Sequence, residues 1–244
     1  MKYGIISDIH SNIEALNLVL EDLEKKNVDK ILCLGDLIGI GPNPDECIKK
    51  INLLGNKCIT VYGNHEGYYI HGIPEFVHND KRKMSNEEIS SHKWQWDKLS
   101  DESIKYLKSL HEELEIEDEE IKIHLTHYPK ENGIFKKVYK NPRGEELQEL
   151  YNQKESDIYL FGHTHNSNIV HKNEKWYINP GSLGCPSFNN FASYGILSIA
   201  NKKINYKQCA INYDIEQFVE KINKSDMPNK EFCIKHFVAG QWEF

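Results

Sequence analysis

Residues 3–10, Tyr-Gly-Ile-Ile-Ser-Asp-Ile-His, join a short apolar run directly to polar side chains that can support chemistry. The same pattern recurs at residues 30–36, 58–66 and 158–165, which end in Gly-Asp, Gly-Asn-His-Glu and Gly-His-Thr-His. Short apolar runs bounded by glycine and polar turns are typical of buried strands. Residues 12–25 and 44–54 have helical spacing between these runs. Such alternation predicts an α/β fold.

A fifth run, residues 121–127, alternates so that Ile121, Ile123, Leu125 and His127 share one face of a strand. His127 lies at its carboxyl end, as the other polar clusters follow theirs. In open α/β sheets, ligands bind beyond the carboxyl ends of the strands. We therefore expect all five clusters to meet at one edge.

The polar side chains at these strand ends are Asp8, His10, Asp36, Asn64, His65, His127, His163 and His165. All of them except His65 are candidate metal ligands. Mixed carboxylate, imidazole and amide ligands suit Mn, Fe, Co, Ni or Zn better than Ca or Mg. Two metals about 3.5–4 Å apart need a bridging ligand, and Asp36 is the candidate. Such a pair activates water for hydrolysis of a phosphate ester. His65 is the candidate general acid or charge stabiliser and is not expected to be a ligand.

The composition limits the possible domain organisation, partners and location of the protein. The chain has 244 residues with 39% hydrophobic and 27% charged residues, which predicts one well-cored domain spanning residues 1–244. A net charge of −7 argues against stable binding of duplex nucleic acid. The six cysteines are scattered along the chain, and we interpret them as reduced thiols. No apolar stretch is long enough for a membrane span or a signal segment. We expect a cytoplasmic protein that does not associate with membranes.

The remaining elements are predicted from local pattern. A helical insertion is expected at about residues 67–112, with a capping box at Ser85 and Glu88 and an N-cap at Ser100. Residues 129–143 read as an exposed loop. A helix over residues 145–152, strands over 194–199 and 204–210, and a helix over 215–223 follow. Residues 224–244 carry no clear pattern.

The motifs together resemble the calcineurin-like metallophosphoesterase superfamily. They are Asp8-Ile-His10, Gly35-Asp36, Gly63-Asn64-His65-Glu66, His127 and Gly162-His163-Thr164-His165. Residues 39–44, 94–110 and 179–186 further resemble the small bacterial and archaeal YfcE-like group, so that the resemblance runs over about residues 1–223. It implies a four-layer α/β sandwich with two central mixed β-sheets flanked by helices.

The same resemblance implies two ligand sets that share Asp36. One metal would be held by Asp8, His10, Asp36 and His165, and the other by Asp36, Asn64, His127 and His163. Manganese is the usual ion, with iron, nickel, cobalt or zinc as alternatives. His65 would act on the leaving group; some YfcE-like members carry cysteine in its place.

Substrate is not determined by this pattern, because one fold hosts many functions. The leading hypothesis is hydrolysis of a phosphomonoester or phosphodiester in a small molecule or nucleotide. A serine/threonine phosphoprotein phosphatase is the second hypothesis, and a non-catalytic protein-binding scaffold the third. The oligomeric state is left open.

Other conspicuous residues are expected to be structural. The basic side chains of residues 130–143 are interpreted as a solvated surface. Trp94 and Trp96 lie on different faces of a predicted helix and are expected to pack in the core or to contact a partner. Cys185 is expected to be structural or incidental, and residues 179–182 are expected to form a turn whose backbone could support the metal ligands from behind. The histidines placed outside the site are His71, His78, His92, His111, His124, His171 and His236.

Overall fold

The computed structural model describes residues 1–77, 81–185 and 191–238. The strands are β1 (Lys2–Ile6), β2 (Lys30–Cys33), β3 (Cys58–Thr60), β4 (Glu113–Asp118), β5 (Ile121–Thr126), β6 (Lys130–Glu131), β7 (Ile134–Phe135), β8 (Ile158–Leu160), β9 (Ser167–Lys172), β10 (Lys175–Pro180), β11 (Phe191–Ala200) and β12 (Lys203–Asn212). The α-helices are α1 (Ile13–Lys25), α2 (Pro44–Asn52), α3 (Asn64–His71), α4 (Asn86–Asp97), α5 (Asp101–Leu107), α6 (Gly144–Leu150), α7 (Ile215–Lys224) and α8 (Lys230–Cys233). The expected α/β class is confirmed.

Two mixed sheets of five strands each form the centre of the molecule. The first has the order β12-β11-β1-β2-β3, in which β1, β2 and β3 are parallel. The second has the order β4-β5-β8-β10-β9, in which β5, β8 and β10 are parallel. Parallel strands align their carboxyl ends, so each sheet presents the predicted polar clusters along one edge.

The sheets pack face to face over an aliphatic core. Ile5 and Leu32 of the first sheet and Ile123, Leu160 and Ile178 of the second belong to one cluster, and each is fully buried. These residues carry no polar atoms in their side chains, so the driving force between the sheets is removal of apolar surface from water.

Helices cover the outer face of the first sheet. In α1 the buried residues Ala15, Leu16, Val19 and Leu23 form the apolar stripe of an amphipathic helix. The helix approaches β1 closely: a Cβ at Gly4 would lie 2.6 Å from Cδ2 of Leu23. Glycine at this position therefore makes the helix–sheet contact possible.

The outer face of the second sheet is covered differently. Leu147 and Leu150 of α6, the one helix of the described chain in this layer, pack on an aromatic cluster formed by Tyr128, Phe135, Tyr151, Tyr159, Phe161 and Tyr177. The four layers expected from the resemblance are present, and side chains rather than additional helices fill much of this outer layer.

The caps predicted for two helices within residues 67–112 are confirmed. Ser85 and Glu88 form the capping box of α4, and the Ser100 side chain caps α5. Trp94 and Trp96 pack against the helix-side core of the first sheet. Among the described residues, no helix is long and apolar enough to cross a membrane.

Three expectations need correction. The loop predicted at residues 129–143 contains the β6–β7 hairpin, in which Phe135 is buried. Strands β4, β9 and β10 were not predicted. Apolar residues are a minority in β4 and β9, and β10 ends in Asn179 and Pro180, whose composition is typical of a turn. Beyond α7, residues 230–238 form a short helix and a π-helical turn. His78, Pro186 and residues 239–244 lie outside the described residues.

Candidate metal centre

The backbone at the strand ends adopts an unusual conformation. Five of the predicted ligands have positive φ: Asp8 (54°), His10 (49°), Asp36 (53°), His163 (69°) and His165 (58°). Few non-glycine residues adopt left-handed φ, and such strain persists only where the surroundings fix it. Here backbone hydrogen bonds do so, from Asp8 N to Gly35 O at 3.0 Å and from His10 N to Asp36 O at 2.9 Å.

His10 and His165 face each other. Nδ1 of His10 lies 3.2 Å from the Ile38 carbonyl, and its Nε2 lies 2.9 Å from Nε2 of His165. Nε2 of His165 is also 3.3 Å from Oδ1 of Asp8. Two nitrogens bound at right angles to one metal at about 2.1 Å would be about 3.0 Å apart. The facing nitrogens therefore fit a shared ion.

His127 presents a nitrogen to two carboxylates. Its Nδ1 lies 2.7 Å from the Leu34 carbonyl, which can only accept, so Nδ1 carries the proton. Its Nε2 is buried without a hydrogen bond of acceptable geometry, although it lies 3.1 Å from Oδ2 of Asp36 and 3.8 Å from Oδ1 of Asp8. A buried, unsatisfied ring nitrogen beside carboxylates fits a metal ligand oriented by a backbone carbonyl.

Asn64 and His163 complete this side of the site. Asn64 is the first residue of α3, and its Oδ1 lies 3.0 Å from Nδ1 of His163. Donor atoms of Asp36, His127 and His163 lie within 4.8 Å of one another. Asp36 thus belongs to this group and, through its 3.8 Å approach to His10, also borders the other.

His65 lies at the edge between the groups. Its backbone N–H donates to Oδ1 of Asp36 at 3.0 Å, and its ring Nε2 is 3.9 Å from Oδ2 of the same residue. Donor atoms of His10, Asp36 and His65 also lie within 4.8 Å of one another, so distance alone is compatible with a ligand or with a neighbouring acid. Burial lowers the pKa of His65 well below its usual range.

Charge in the site follows from burial and proximity. Burial opposes ionisation of Asp8, but His165 and His127 outweigh it and lower its pKa to about 2. Burial and neighbouring His165 lower the pKa of His10 to about 4. His127 is different, because Asp36 and Asp8 overcome the effect of burial and raise its pKa to about 9. Ionised carboxylates and neutral imidazoles are the forms that bind metal, and binding at His127 would release a proton.

Glu66 supports the site without facing it. Its carboxylate accepts the backbone N–H groups of Asp36 at 2.8 Å, Ile38 at 3.0 Å and Gly63 at 2.8 Å. Burial and the nearby Asp36 charge raise its pKa to about 7. Sequence reasoning gave this residue no role; its position three residues after the N-cap Gly63 was the available signal.

The segment after β10 packs behind Asp8. The Ser182 hydroxyl donates to the Asp8 carbonyl at 2.8 Å, and Gly184 N donates to the same oxygen at 2.9 Å. Cys185 follows, and its sulfur lies within 4.8 Å of ring nitrogens of His10 and His165. The structure thus places this cysteine beside the predicted ligands, whereas the sequence analysis expected a structural or incidental residue.

One histidine predicted to lie outside the site borders it. The His92 ring on α4 lies 4.9 Å from the His65 ring between centroids. By contrast, His124 packs on Tyr151 and Tyr159 in the outer aromatic cluster, and His171 stacks on Trp176. No sequence signal separated His92 from these, because its approach to His65 depends on how α4 folds back.

Comparison with known proteins shows the family and the fold. The sequence matches the calcineurin-like phosphoesterase superfamily domain over residues 1–202. An uncharacterized protein of Methanocaldococcus jannaschii is 33% identical over 242 residues, covering 92% of this chain and 93% of that protein. Phosphodiesterase YfcE of Escherichia coli is 26% identical over 205 residues, covering 81% of this chain and 87% of its own. The crystal structure of a metallophosphoesterase from Sphaerobacter thermophilus has a TM-score of 0.75 at 25% identity, covering 98% of this chain and all of that one.

Two mixed sheets with histidine, aspartate and asparagine side chains gathered at their carboxyl ends define a metal-dependent phosphoesterase. The chain belongs to the calcineurin-like phosphoesterase superfamily. The expected family, four-layer fold and enzyme class, a hydrolase acting on phosphate esters, are thereby confirmed.

Proposed function

We propose that this phosphoesterase hydrolyses a phosphodiester or phosphomonoester in a small molecule or nucleotide, using two divalent metal ions that share Asp36. The observation that carries the proposal is the convergence of two ligand groups on that buried carboxylate, with His127 3.1 Å away on one side and His10 3.8 Å away on the other. A carboxylate can give one oxygen to each of two ions.

In this proposal Asp8, His10, Asp36 and His165 hold one ion, and Asp36, Asn64, His127 and His163 hold the other. The ions would activate water and neutralise the phosphoryl oxygens. Manganese is the ion we propose first, because oxygen and imidazole donors are mixed in both groups; iron, cobalt, nickel and zinc share this preference.

His65 would act at the leaving group. Burial keeps its ring neutral in the free protein. A phosphate ester brings negative charge next to the ring, and a neighbouring negative charge favours the protonated imidazole. The ring can then give its proton to the leaving oxygen as the P–O bond breaks.

Substrate class is supported by two considerations. The relative from Escherichia coli is named a phosphodiesterase, which favours a diester. The net charge of −7 argues against duplex nucleic acid as a stable partner. A phosphoprotein phosphatase is the alternative enzyme, and a protein-binding scaffold is disfavoured because all seven expected ligand positions carry metal-binding side chains.

Organisation and location are part of the same proposal. We take residues 1–244 as one domain, supported by the packing of Trp96 and Leu107, in the 67–112 segment, on the core of the first sheet. All six cysteines are unpaired, which supports a reducing compartment and hence the cytoplasm.

The test is hydrolysis of p-nitrophenyl phosphate, bis-p-nitrophenyl phosphate and a phosphoserine peptide by metal-stripped protein, before and after addition of Mn²⁺, Ni²⁺, Zn²⁺ or Mg²⁺. We expect Mn²⁺ to restore turnover, with faster hydrolysis of the diester. Faster release of phosphate from the peptide would favour the phosphoprotein phosphatase. Absence of turnover with every ion and ester would contradict the proposal.

A further inference from the structure

One face of α4 is attached to the loops that carry the metal ligands. The Gln95 side chain is 2% exposed. Its Oε1 accepts the Ser11 hydroxyl at 2.8 Å and Gly39 N at 3.2 Å, and its Nε2 donates to Gly41 O at 2.6 Å. Ser11 directly follows His10. A single buried side chain therefore connects the loop after β1 to the loop after β2.

His92 lies three residues before Gln95 and so on the same side of α4. It is 8% exposed, and its ring lies 4.9 Å from His65 and 5.2 Å from Tyr68 between centroids. Burial lowers the pKa of His92 to about 4, so this ring is a neutral packing partner. It also stacks on Trp96 at 6.1 Å.

The ring of His65 has no hydrogen bond at Nδ1 to fix its plane. That nitrogen is buried without a partner. The backbone of Gly39 approaches it so closely that a Cβ there would lie 2.2 Å from Nδ1. His92 and Gly39 therefore both pack on the His65 ring, and packing sets its orientation.

We propose that α4 positions the leaving-group acid: His92 holds the imidazole of His65, and Gln95 holds the Gly39 loop that packs against the same ring. The inference rests on the proposed function of His65. A reacting group displaced by about 1 Å can lose about 100-fold in rate, so loss of one packing partner should slow the reaction without removing the metals.

The test is a double-mutant cycle between His65→Ala and His92→Ala, with kcat measured on aryl phosphodiesters of increasing leaving-group pKa. We expect His92→Ala to lower kcat about 10- to 100-fold, most for the poorest leaving groups, with unchanged metal content. The double variant should be no slower than His65→Ala, because the two residues act as one unit. Full additivity, or kcat within about twofold of the original protein, would overturn the inference.

His92→Phe separates packing from chemistry. Phenylalanine keeps a ring at this position but has no nitrogen, so it should recover most of the rate if His92 acts by packing. A loss equal to that of His92→Ala would show that a nitrogen is needed and would overturn the positioning role. His171→Ala is the matched control, since it removes another imidazole stacked on a tryptophan, Trp176, and should leave kcat unchanged.

Crystal structures provide a readout that needs no activity. In His92→Ala the His65 ring should occupy more than one rotamer, whereas the seven proposed ligands stay in place. An unchanged single rotamer would contradict the inference. If the unsubstituted protein hydrolyses no ester with any metal, the proposed function fails, and the rotamer comparison still decides whether His92 holds His65.

Discussion

Residues with left-handed backbone conformation occur at both ends of the two sheets. They are exposed to solvent at one end and buried at the other. At the end away from the metal centre, three hairpins turn through paired residues with positive φ: Glu119-Glu120, Asn173-Glu174 and Asn201-Lys202. All six are exposed. At the other end, Asp8, His10, Asp36 and His165 adopt the same conformation while buried.

The positive φ values have a different cause at each end of the sheets. Two-residue hairpin turns of type I′ require positive φ at both central positions, so the exposed cases follow from turn geometry. At the buried end, no hairpin connects the described strands of the two five-stranded sheets. The residues with positive φ there include five of the predicted ligands, together with Ser11 and Ile40. Strain there is maintained by hydrogen bonds between loops and by Glu66. Substitutions at the buried end should therefore affect function, whereas substitutions at the exposed hairpin end should affect stability alone.

Asp36→Asn should have the largest effect. It removes the negative charge shared by both ligand groups, and we expect kcat to fall about 1,000-fold or more with loss of bound metal. Metal analysis and diester hydrolysis check this. Asp157→Asn is the control, because Asp157 also accepts a backbone N–H, from Lys122 at 2.8 Å, but precedes β8 at the opposite end. Normal turnover of Asp36→Asn at full metal occupancy would remove the bridging assignment.

Glu66→Gln should weaken metal binding about 10- to 100-fold, because an amide has only one oxygen to accept the backbone N–H groups of the Asp36 loop. Glu88→Gln changes the same capping contact on the exposed start of α4, where Glu88 accepts Ser85 N at 2.8 Å. This control should change the free energy of unfolding by less than about 0.5 kcal/mol and leave metal affinity unchanged. Equal effects of the two variants on metal affinity would show that Glu66 is only a helix cap.

Asp45→Ala should affect stability and not metal binding. Asp45 accepts Ser100 N and Ser100 Oγ, both at 2.8 Å, and pairs with Lys49 at 2.7 Å. Burial opposes its ionisation, but hydrogen bonds from Lys49 and from Ser103 and Ser100 hold its pKa well below the usual range. We expect the free energy of unfolding to fall by about 1–2 kcal/mol at pH 7.

The pH dependence of this loss has a defined sign. Because the folded-state pKa of Asp45 is below the unfolded value of about 3.9, its contribution is present above about pH 4 and is lost as pH falls further. Urea unfolding at several pH values should therefore show the difference between Asp45→Ala and the unsubstituted protein shrinking below about pH 4. A difference independent of pH would show that the carboxylate charge is not involved.

Glu174→Gly should have the smallest effect, and in the opposite direction. It creates Asn-Gly, the preferred pair for this turn, and relieves a non-glycine residue at φ 63°. We expect the free energy of unfolding, measured in urea, to increase by about 0.5–1 kcal/mol, and kcat to be unchanged. Destabilisation, or a change in kcat, would remove the contrast between the two ends.

Local pattern predicted much of the fold. The strands before each motif, the caps of α4 and α5, and the alternation of residues 121–127 depend on neighbours in sequence, so they could be found there. Strand β4 was missed because four of its six residues are acidic, although Leu114 and Ile116 alternate with exposed glutamates as in a half-buried strand. The layer arrangement came from family resemblance, since no periodicity reports which sheets pack together.

The site was predictable as a set of residues rather than as a geometry. His10 and His165 are 155 positions apart, and only the topology brings their nitrogens to 2.9 Å. Glu66 and His92 were missed for the same reason. Glu66 acts through backbone groups of another loop, and His92 approaches His65 only because α4 folds back over α3.

The central claim is that these buried loops hold two metals sharing one carboxylate. Electron paramagnetic resonance of the protein loaded with two equivalents of Mn²⁺ tests it most directly. We predict the multiline spectrum of an exchange-coupled manganese pair, lost in Asp36→Asn. A spectrum of isolated, uncoupled Mn²⁺ at full loading would contradict the shared-ligand centre.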